Sequence, residues 1–364
     1  MQTDILIAGA GLSGLSLAAA LQERGLSFQL LEARERIGGR ILTLENHYPG
    51  IGTTLADIGP SWIWPGQPLI GSLLQKLGIA SFEQFSDGLL VFEDADGRVR
   101  RDVDFSTMAG SLRIDGGIAR IPGALAAQLP ADRLLLSHRI RGLRQEADGW
   151  QADIESGDER LCVRARAVVL ALPPRVVCET IEFDPPLPVQ ATRELASIPT
   201  WMAGQAKLFA LYDEPFWRNM GLSGDAISQR GPLVELHDAS PADAAYGALF
   251  GFVGPAAEDP AREASRLRES AARQLVQLFG PAAAEPLDIL IKDWATESFT
   301  ATRADFGSRQ HPQQGMPPGV GGLAEQGLLF ASSELARGYG GLVEGALEVA
   351  AATFERLLAD KPEI

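Results

Sequence analysis

Hydrophobic and polar positions near the start of the chain follow the order strand, turn, helix, strand. Asp4–Ala8 is a short apolar run of the kind that forms a buried parallel strand. A glycine-rich turn leads into a helix that ends at Gly25, with an apolar face formed by Leu15, Leu17, Ala18 and Leu21. A second apolar run, Phe28–Leu31, ends at Glu32. This order predicts the strand–helix–strand unit that binds dinucleotides.

Beyond residue 75 the pattern changes to shorter runs that are typical of antiparallel strands. Leu89–Phe92 and Val99–Val103 flank an Asp-Gly turn and predict a hairpin. Several runs between residues 134 and 172 predict a meander. The last of them, Ala167–Leu172, is almost wholly apolar, so we expect it to rejoin the parallel sheet. Gln205–Tyr212 and Leu328–Ala331 are further predicted strands.

Two helices are predicted in the second half of the chain. The first takes Asp259 as its N-cap and stops at Gly280, with an apolar face formed by Leu267, Ala271, Leu275 and Leu278. The second runs from about Gly341 to Leu358, with a core face formed by Val343, Ala346, Ala350, Phe354 and Leu357. A chain of 364 residues of ordinary globular composition predicts two or three domains.

The charge balance narrows the class of partner. The formal net charge is −15, and an acidic surface repels phosphate backbones and anionic lipids. We therefore expect no nucleic-acid partner and no membrane-surface binding. Glycine is in excess, at 39 residues or about 11%, against roughly 7% on average. The excess predicts places where the backbone turns tightly or approaches a ligand.

Cysteine and histidine usage argues against a metal centre. Cys162 and Cys178 lack metal-ligand spacing and are expected to be small core residues. No two histidines are spaced as ligands on one helix face. We expect all four on the surface or in loops, without a catalytic role: His47, His138, His237 and His311.

The apolar run at the start of the chain resembles the core of a signal peptide. However, no Lys or Arg precedes it, and Asp4 stands where a positive charge is required. No uncharged span of 18 residues occurs elsewhere. We therefore expect a soluble, cytoplasmic protein.

The glycines Gly9, Gly11 and Gly14 form the first candidate site. A pyrophosphate needs backbone N–H groups at a helix N-terminus and no side chain in the way. The spacing alone is weak and also fits a structural turn. Here it follows a strand and opens a helix, and Glu32 stands about 20 residues further on to bind a ribose hydroxyl.

The next segment favours FAD over a nicotinamide cofactor. Glu32, Ala33 and Arg34 are followed by Gly38, Gly39 and Arg40. Arginines combined with a glycine pair offer positive charge and close backbone contact to an extended cofactor. Surface arginines are the alternative, but they do not account for the glycine pair.

Seven stretches together resemble the flavin-containing amine oxidase family of the monoamine oxidase type, in the family's order and over almost the whole chain. They are GAGLSGLSLAAAL, LLEARERIGGRI, DIGPSWI, VVLALPPRVV with FDPPLP, KLFALYDEPFW, WATESFTATRADFG and FASSELARGYGGLVEGALEVA. The resemblance implies an α/β fold. A Rossmann-like FAD-binding domain (residues 1–75, 113–190 and 291–364) would carry a discontinuous α+β substrate domain (76–112 and 191–290). It also implies oxidation of a small primary or secondary amine to an imine, with the flavin reoxidised by O2 to give H2O2.

The resemblance also assigns roles to individual residues. Lys207 matches the lysine that holds a water near the flavin; the alternative is a strand lysine facing solvent. Glu334 matches the acid that contacts the ribityl chain, and Gly341–Val343 match the turn whose N–H groups face the flavin pyrimidine. Further positions assigned to the cofactor are Ser13, Pro60, Ser61, Trp62, Ile140, Trp294, Ser333 and Leu342. Trp62 also fits an ordinary core aromatic.

Departures from the family pattern are informative. Ser298 stands where covalent members have cysteine, which predicts non-covalent FAD. Phe299 is assigned to one side of an aromatic cage for the amine, but Leu342 occupies the second place. Two alternatives stay open: a desaturase or porphyrinogen-type oxidoreductase on the same fold, and a flavin-binding protein without turnover.

Overall fold

The largest sheet of the fold is built around the predicted N-terminal unit. The computed structural model describes residues 2–254, 260–306, 310–312 and 315–359. In spatial order, the sheet contains Glu182–Asp184, Arg139–Glu146, Gly149–Ser156, Glu159–Leu170, Gln2–Ala8, Phe28–Leu31 and Leu134–Leu135, with Leu328–Phe330 also paired to Glu159–Leu170. Gln2–Ala8 is parallel to both of its neighbours, so the predicted parallel core is confirmed.

The strand Glu159–Leu170 joins two kinds of sheet. Its first half pairs antiparallel with Gly149–Ser156, which completes the predicted meander. Its second half pairs in parallel with Gln2–Ala8 on one side and Leu328–Phe330 on the other. The apolar run therefore does rejoin the parallel sheet, as a continuation of the meander's last strand.

A second sheet is almost wholly antiparallel. Its spatial order is Asp288–Asp293, Ala206–Tyr212, Gly247–Val253, Leu233–Asp238, Leu222–Ser228, Leu89–Glu93 and Val99–Val103. The predicted hairpin of its last two strands is confirmed. Two small two-stranded sheets lie outside both: the hairpin of Thr43–Tyr48 with Gly52–Asp57, and the pair Ser81–Glu83 with Leu112–Ile114.

The helices cover the sheets and bury their apolar faces. Their bounds are Leu12–Glu23, Pro68–Leu77, Arg120–Ala126, Pro174–Thr180, Val189–Ser197, Phe216–Asn219, Pro260–Phe279, Pro318–Gly321 and Val343–Ala359. Leu12–Glu23 and Val343–Ala359 pack against each other over the first sheet. Ala271, Leu275 and Leu278 are fully buried against the second sheet, as predicted. Asp259, the predicted N-cap, lies outside the described residues.

The predicted domain bounds stay a prediction, but they can be compared with the residue ranges of the two sheets. The first sheet draws on residues 2–31, 134–184 and 328–330, and the second on residues 89–103 and 206–293. The predicted division after residue 290 falls inside the strand Asp288–Asp293 of the second sheet.

The expectation that both cysteines are core residues is wrong. Cys162 is exposed and Cys178 is half-buried. Cys162 lies near the start of Glu159–Leu170, where that strand is still largely exposed and has not yet entered the parallel core.

Candidate functional site

A glycine cradle lies where the first strand turns into the helix Leu12–Glu23. Gly9 has φ +101°, a conformation that favours glycine, and its N–H donates to the Leu31 carbonyl at 2.7 Å. A Cβ on Gly14 would stand 2.0 Å from the Gly9 carbonyl oxygen, whereas a Cβ on Gly11 would meet nothing within 4 Å. Gly14 therefore serves helix–strand packing, and Gly11 leaves space for a ligand.

The end of the helix that faces this space has no side-chain cap. The N-cap residue is Gly11, which has no side chain that could bond to the first turn. The backbone N–H groups of this turn and the helix dipole are therefore suited to an anion such as a pyrophosphate. Ser13, in the first turn, donates to the carbonyl of Ala331 at 2.6 Å, which ties the helix to the third segment of the fold.

Glu32 is buried at the end of the second strand and is held by the backbone on both sides. One carboxylate oxygen accepts the Ala10 N–H and the other accepts the Arg34 N–H, each at 2.9 Å. The lone pairs that remain on each oxygen can accept further hydrogen bonds. Its position at the rim of the cavity suits a ribose hydroxyl.

The glycine pair brings the second segment against the cradle. Gly38 has φ +93°, and its N–H donates to the Ala10 carbonyl at 2.8 Å. A Cβ on Gly39 would contact the Cα of Gly11 at 3.4 Å. Both glycines have a positive φ, and a Cβ on Gly38 would stand 2.7 Å from the Ile41 carbonyl oxygen, so side chains here would strain this turn.

An ion pair between Arg40 and Glu334 supports the cavity wall. Glu334 is fully buried, and its oxygens accept both terminal nitrogens of Arg40 at 2.6 and 3.0 Å, the Ser332 and Ser333 hydroxyls, and the Trp201 N–H. Burial opposes ionisation, but Arg40 and these hydrogen bonds hold the pKa of Glu334 below its usual range. Glu334 is not among the described residues that line the cavity. Its contact with the ribityl chain of the cofactor stays a prediction.

Lys207 faces the protein interior rather than solvent. It is 5% exposed, and its Nζ donates to the Gly59 carbonyl at 2.5 Å. The rings of Phe250 and Phe252 each lie 5.6 Å from Nζ. Burial lowers the pKa of Lys207 to about 7, so the side chain changes charge near neutral pH. A buried amine of this kind in a cavity wall is typical of a functional site.

Trp62 lines the cavity, and His237 packs behind it. The Trp62 Nε1 donates to Gln84 at 2.8 Å, and its ring meets the ring of His237 edge-on at 5.1 Å. The expectation of a surface or loop histidine is wrong for His237, which is fully buried and bonded to Asp225 and Glu235 at 3.0 and 3.1 Å. Burial opposes the charge, but the two carboxylates raise the pKa of His237.

Phe299 and Leu342, predicted to form one cage, have different neighbours. The guanidinium groups of Arg34 and Arg139 lie 5.3 and 5.1 Å from the Phe299 ring, beside Glu32. Leu342 follows Gly341, and a Cβ on Gly341 would stand 2.4 Å from the Cβ of Trp201. Both side chains line the same cavity, but Phe299 belongs to a group of arginines.

We call these two regions the Glu32 end (Glu32, Arg34, Arg139 and Phe299) and the Lys207 end (Lys207, Gly59, Arg40, Trp201 and Gly341). Contacts connect the residues of the Lys207 end in series. Lys207 bonds to Gly59, a Cβ on Gly59 would meet the Arg40 carbonyl, Arg40 bonds to Trp201, and Trp201 packs on Gly341.

One cavity joins both ends. The residues assigned from sequence that line it are Gly9, Gly11, Ser13, Glu32, Ala33, Arg34, Gly38, Gly39, Arg40, Pro60, Ser61, Trp62, Ile140, Lys207, Trp294, Phe299, Ser333, Gly341, Leu342 and Val343. Of the assigned residues, Gly14 and Glu334 alone support the wall from behind.

Several lining residues were not assigned from sequence. They include Trp64, His138, Arg139, Trp201, Met202 and Phe252. Phe250 and Phe252 are two residues apart in one strand and therefore lie on the same face of it. This period-two pattern could have predicted that Phe252 lines the cavity. Trp201 and Met202 lie in an irregular turn, for which the chain pattern has no signal.

The residues present fit FAD. The uncapped helix end, the side-chain-free glycine backbone and the carboxylate at the strand end match a pyrophosphate and an adjoining ribose. Beyond them the cavity continues far enough to reach Lys207. A cavity that begins at a dinucleotide cradle and continues to a buried amine is what a flavin-dependent oxidoreductase requires.

Comparison with known proteins identifies the family. The model of the flavin containing amine oxidoreductases matches residues 12–105 and 93–353. The chain therefore belongs to the flavin-containing amine oxidoreductase family, and FAD-dependent oxidation of amines is its activity.

Similar proteins extend over most of the chain. A Mycobacterium tuberculosis protein named as a flavin-containing monoamine oxidase is 28% identical, over 81% of this chain and 84% of its own length. The putrescine oxidase of Kocuria rosea is 24% identical over 82% and 84%. The solved structure of a cyclohexylamine oxidase from Brevibacterium oxydans has a TM-score of 0.78 at 22% identity, covering 98% of this chain and 99% of that one, and so shares the fold.

Among the residues that the structure describes, no helix combines the length and apolar character needed to span a bilayer.

Proposed function

We propose that the protein oxidises a small primary or secondary amine to an imine and that O2 takes up the electrons, with release of H2O2. The observation that carries the proposal is the continuity of one cavity from the glycine cradle to buried Lys207. FAD, when bound, supplies the hydride acceptor. The chain itself supplies binding, orientation and exclusion of water.

Different parts of the wall divide these tasks. Gly9, Gly11 and the helix N-terminus hold the pyrophosphate, and Glu32 holds a ribose hydroxyl. Phe299, between two guanidinium groups, belongs to this cofactor-binding part. At the other end, the turn at Gly341 opens the helix Val343–Ala359, and its N–H groups and dipole favour negative charge there.

Lys207 serves the reaction with oxygen. Its Nζ stands in the cavity wall, where a positive charge or a hydrogen-bonded water stabilises the charge that develops as O2 is reduced. Catalysis of the amine step depends mainly on positioning a neutral amine in a dry pocket. The described lining has apolar side chains such as Leu342 and Phe252 for this purpose.

The flavin is bound without a covalent link to cysteine. Ser298, on which the sequence argument rested, is exposed and is not among the described residues of the cavity wall. The two cysteines of the chain, Cys162 and Cys178, both lie outside the cavity lining, so neither is placed to bind the flavin covalently.

The test uses purified holoprotein and a panel of primary, secondary and polyamine substrates. We expect at least one small primary or secondary amine to bleach the flavin absorbance without oxygen and to release H2O2 in air. Acid denaturation should release the flavin into the supernatant. Failure of every amine to bleach the flavin contradicts amine oxidation, and bleaching without H2O2 in air contradicts O2 as the acceptor.

A further inference from the structure

Trp201 lies in the cavity wall, at the Lys207 end. It precedes Lys207 by six positions, and both side chains line the same cavity. The residue is half-buried and is part of the cavity lining. An aromatic ring in this position offers a flat apolar surface to whatever binds beside Lys207.

The backbone of Trp201 is fixed by a buried ion pair. Its N–H donates to a Glu334 oxygen at 3.2 Å, and its carbonyl accepts from Arg40 at 3.3 Å. Arg40 and Glu334 also form an ion pair with each other, so the backbone N–H and the backbone carbonyl of Trp201 are held by the two partners of one ion pair. This arrangement orients Trp201 more rigidly than an ordinary loop would.

The side chain is held from two directions as well. Gly341 leaves room for it, since any Cβ at that position would overlap the Trp201 Cβ. The ring of His311 packs on the indole with centroids 4.3 Å apart. Met202, the next residue, has φ +58°, a strained conformation for methionine that persists only where the surroundings enforce it. Such strain is common at ligand-binding sites.

We propose that Trp201 forms the aromatic wall of the compartment that receives the amine, so that the enzyme selects amines carrying an aromatic ring over those of similar size without one. The inference rests on the proposed amine oxidation and specifies its substrate class. Leu342, next to Gly341, then provides an aliphatic surface near the indole. The wall differs from the predicted pair because Phe299 lies with the arginines of the Glu32 end.

The test measures binding separately from turnover. The probes are 2-phenylpropan-2-amine and 2-cyclohexylpropan-2-amine, which are similar in size and have no hydrogen on the carbon that bears nitrogen, so neither can be oxidised to an imine. Each is titrated into the holoenzyme, and the change in flavin absorbance gives the dissociation constant. We expect Trp201→Leu to weaken binding of the phenyl probe about tenfold and of the cyclohexyl probe by no more than about twofold.

Two further variants make the result specific. Trp201→Phe retains a ring and should keep most of the preference for the phenyl probe. Trp64→Ala removes a tryptophan that lines the same cavity but is 40% exposed, and it should leave the preference unchanged. If Trp201→Leu does not fold, Trp201→Met replaces it as the variant without a ring: loss of the preference for the phenyl probe is expected, and an unchanged preference overturns the proposal.

Other outcomes overturn the proposal or separate it from the function on which it rests. Equal weakening of both probes, or loss of bound FAD from a folded Trp201→Leu variant, means that Trp201 serves the cofactor or the fold. A wild-type enzyme that prefers the phenyl probe through Trp201 but is bleached by no oxidisable amine keeps this binding site and contradicts the proposed oxidation.

Discussion

Lys207 carries a titratable group into an interior that favours its neutral form. Because burial lowers its pKa from 10.5 to about 7, the unfolded chain binds more protons than the folded one between these pH values. The lysine therefore opposes folding below pH 7, and its cost declines as pH rises towards 10.5. The cost at neutral pH and below is on the order of 5 kcal/mol.

We predict that Lys207→Met changes the pH dependence of stability. Methionine has no charge to desolvate, so the free energy of unfolding of the variant should compare most favourably with wild type at pH 6–7 and less so near pH 10. Denaturant unfolding of both proteins across this range measures the difference. A difference that stays constant with pH would mean that Lys207 keeps an ordinary pKa.

The same substitution tests the role of Lys207 with oxygen. In Lys207→Met we expect flavin reoxidation by O2 to slow by about tenfold or more, with a smaller effect on flavin reduction by the amine. Stopped-flow absorbance resolves the two half-reactions. In wild type, reoxidation should fall as pH rises through about 7, where the lysine loses its charge, and the variant should lack this dependence. Unchanged reoxidation in the variant would assign the lysine to structure alone.

At the scale of residues, the sequence predicted which residues line the cavity better than it predicted which side chains they contact. Lys207 and Leu342 lie in the cavity wall as assigned. Glu334 lies behind the wall, because Arg40 and two serine hydroxyls compete for its oxygens. His237 is buried where the strands Leu222–Ser228 and Leu233–Asp238 pair, and this pairing brings Asp225 against it, whereas Glu235 precedes it on its own strand. Such side-chain contacts depend on register and cannot be obtained from spacing along one strand.

At the scale of elements, two glycines of one turn have separate tasks. Gly14 faces the Gly9 carbonyl, and Gly11 faces open space in the cradle. Gly14→Ala should destabilise even the cofactor-free protein by about 2 kcal/mol or more, since a backbone contact of 2.0 Å forces the helix away from the strand. Thermal unfolding of the apoprotein measures this loss.

Gly11→Ala is the matched control in the same turn. Gly11 has φ −75°, which alanine adopts without strain, so apoprotein stability should stay within about 0.5 kcal/mol of wild type. Its methyl group enters the space proposed for the pyrophosphate, and FAD affinity should fall. Equal stability loss in both variants would contradict the division of tasks.

Elements with a strong period were predicted to within a few residues. Phe28–Leu31 is confirmed at both ends, and the last helix begins at Val343, two residues later than predicted. The turn at Trp201 and Met202 was missed because its shape comes from the Arg40–Glu334 pair and from close packing on Gly341. None of these causes is local in sequence.

At the scale of the whole molecule, the cofactor site collects residues from all parts of the chain. Its wall draws on residues 8–41, 59–67, 138–140, 171–207 and 331–346, among others. Bound FAD should therefore stabilise the entire structure, by about 2.7 kcal/mol at a free concentration one hundred times its Kd. The melting temperature of apoprotein should rise with added FAD, and Gly11→Ala should need more FAD for the same rise. A wild-type melting temperature independent of FAD would contradict the proposed cradle.

The bond from Ser13 to Ala331 has a consequence for the order of events on the ribosome. These residues are 318 positions apart, and the strand Leu328–Phe330 must pair with Glu159–Leu170 before the bond can form. A nascent chain can therefore assemble the second sheet, which ends at Asp293, while the first remains incomplete. During synthesis the newborn polypeptide therefore completes the site for its vitamin-derived cofactor late, once residues 331–346 have joined the cavity wall.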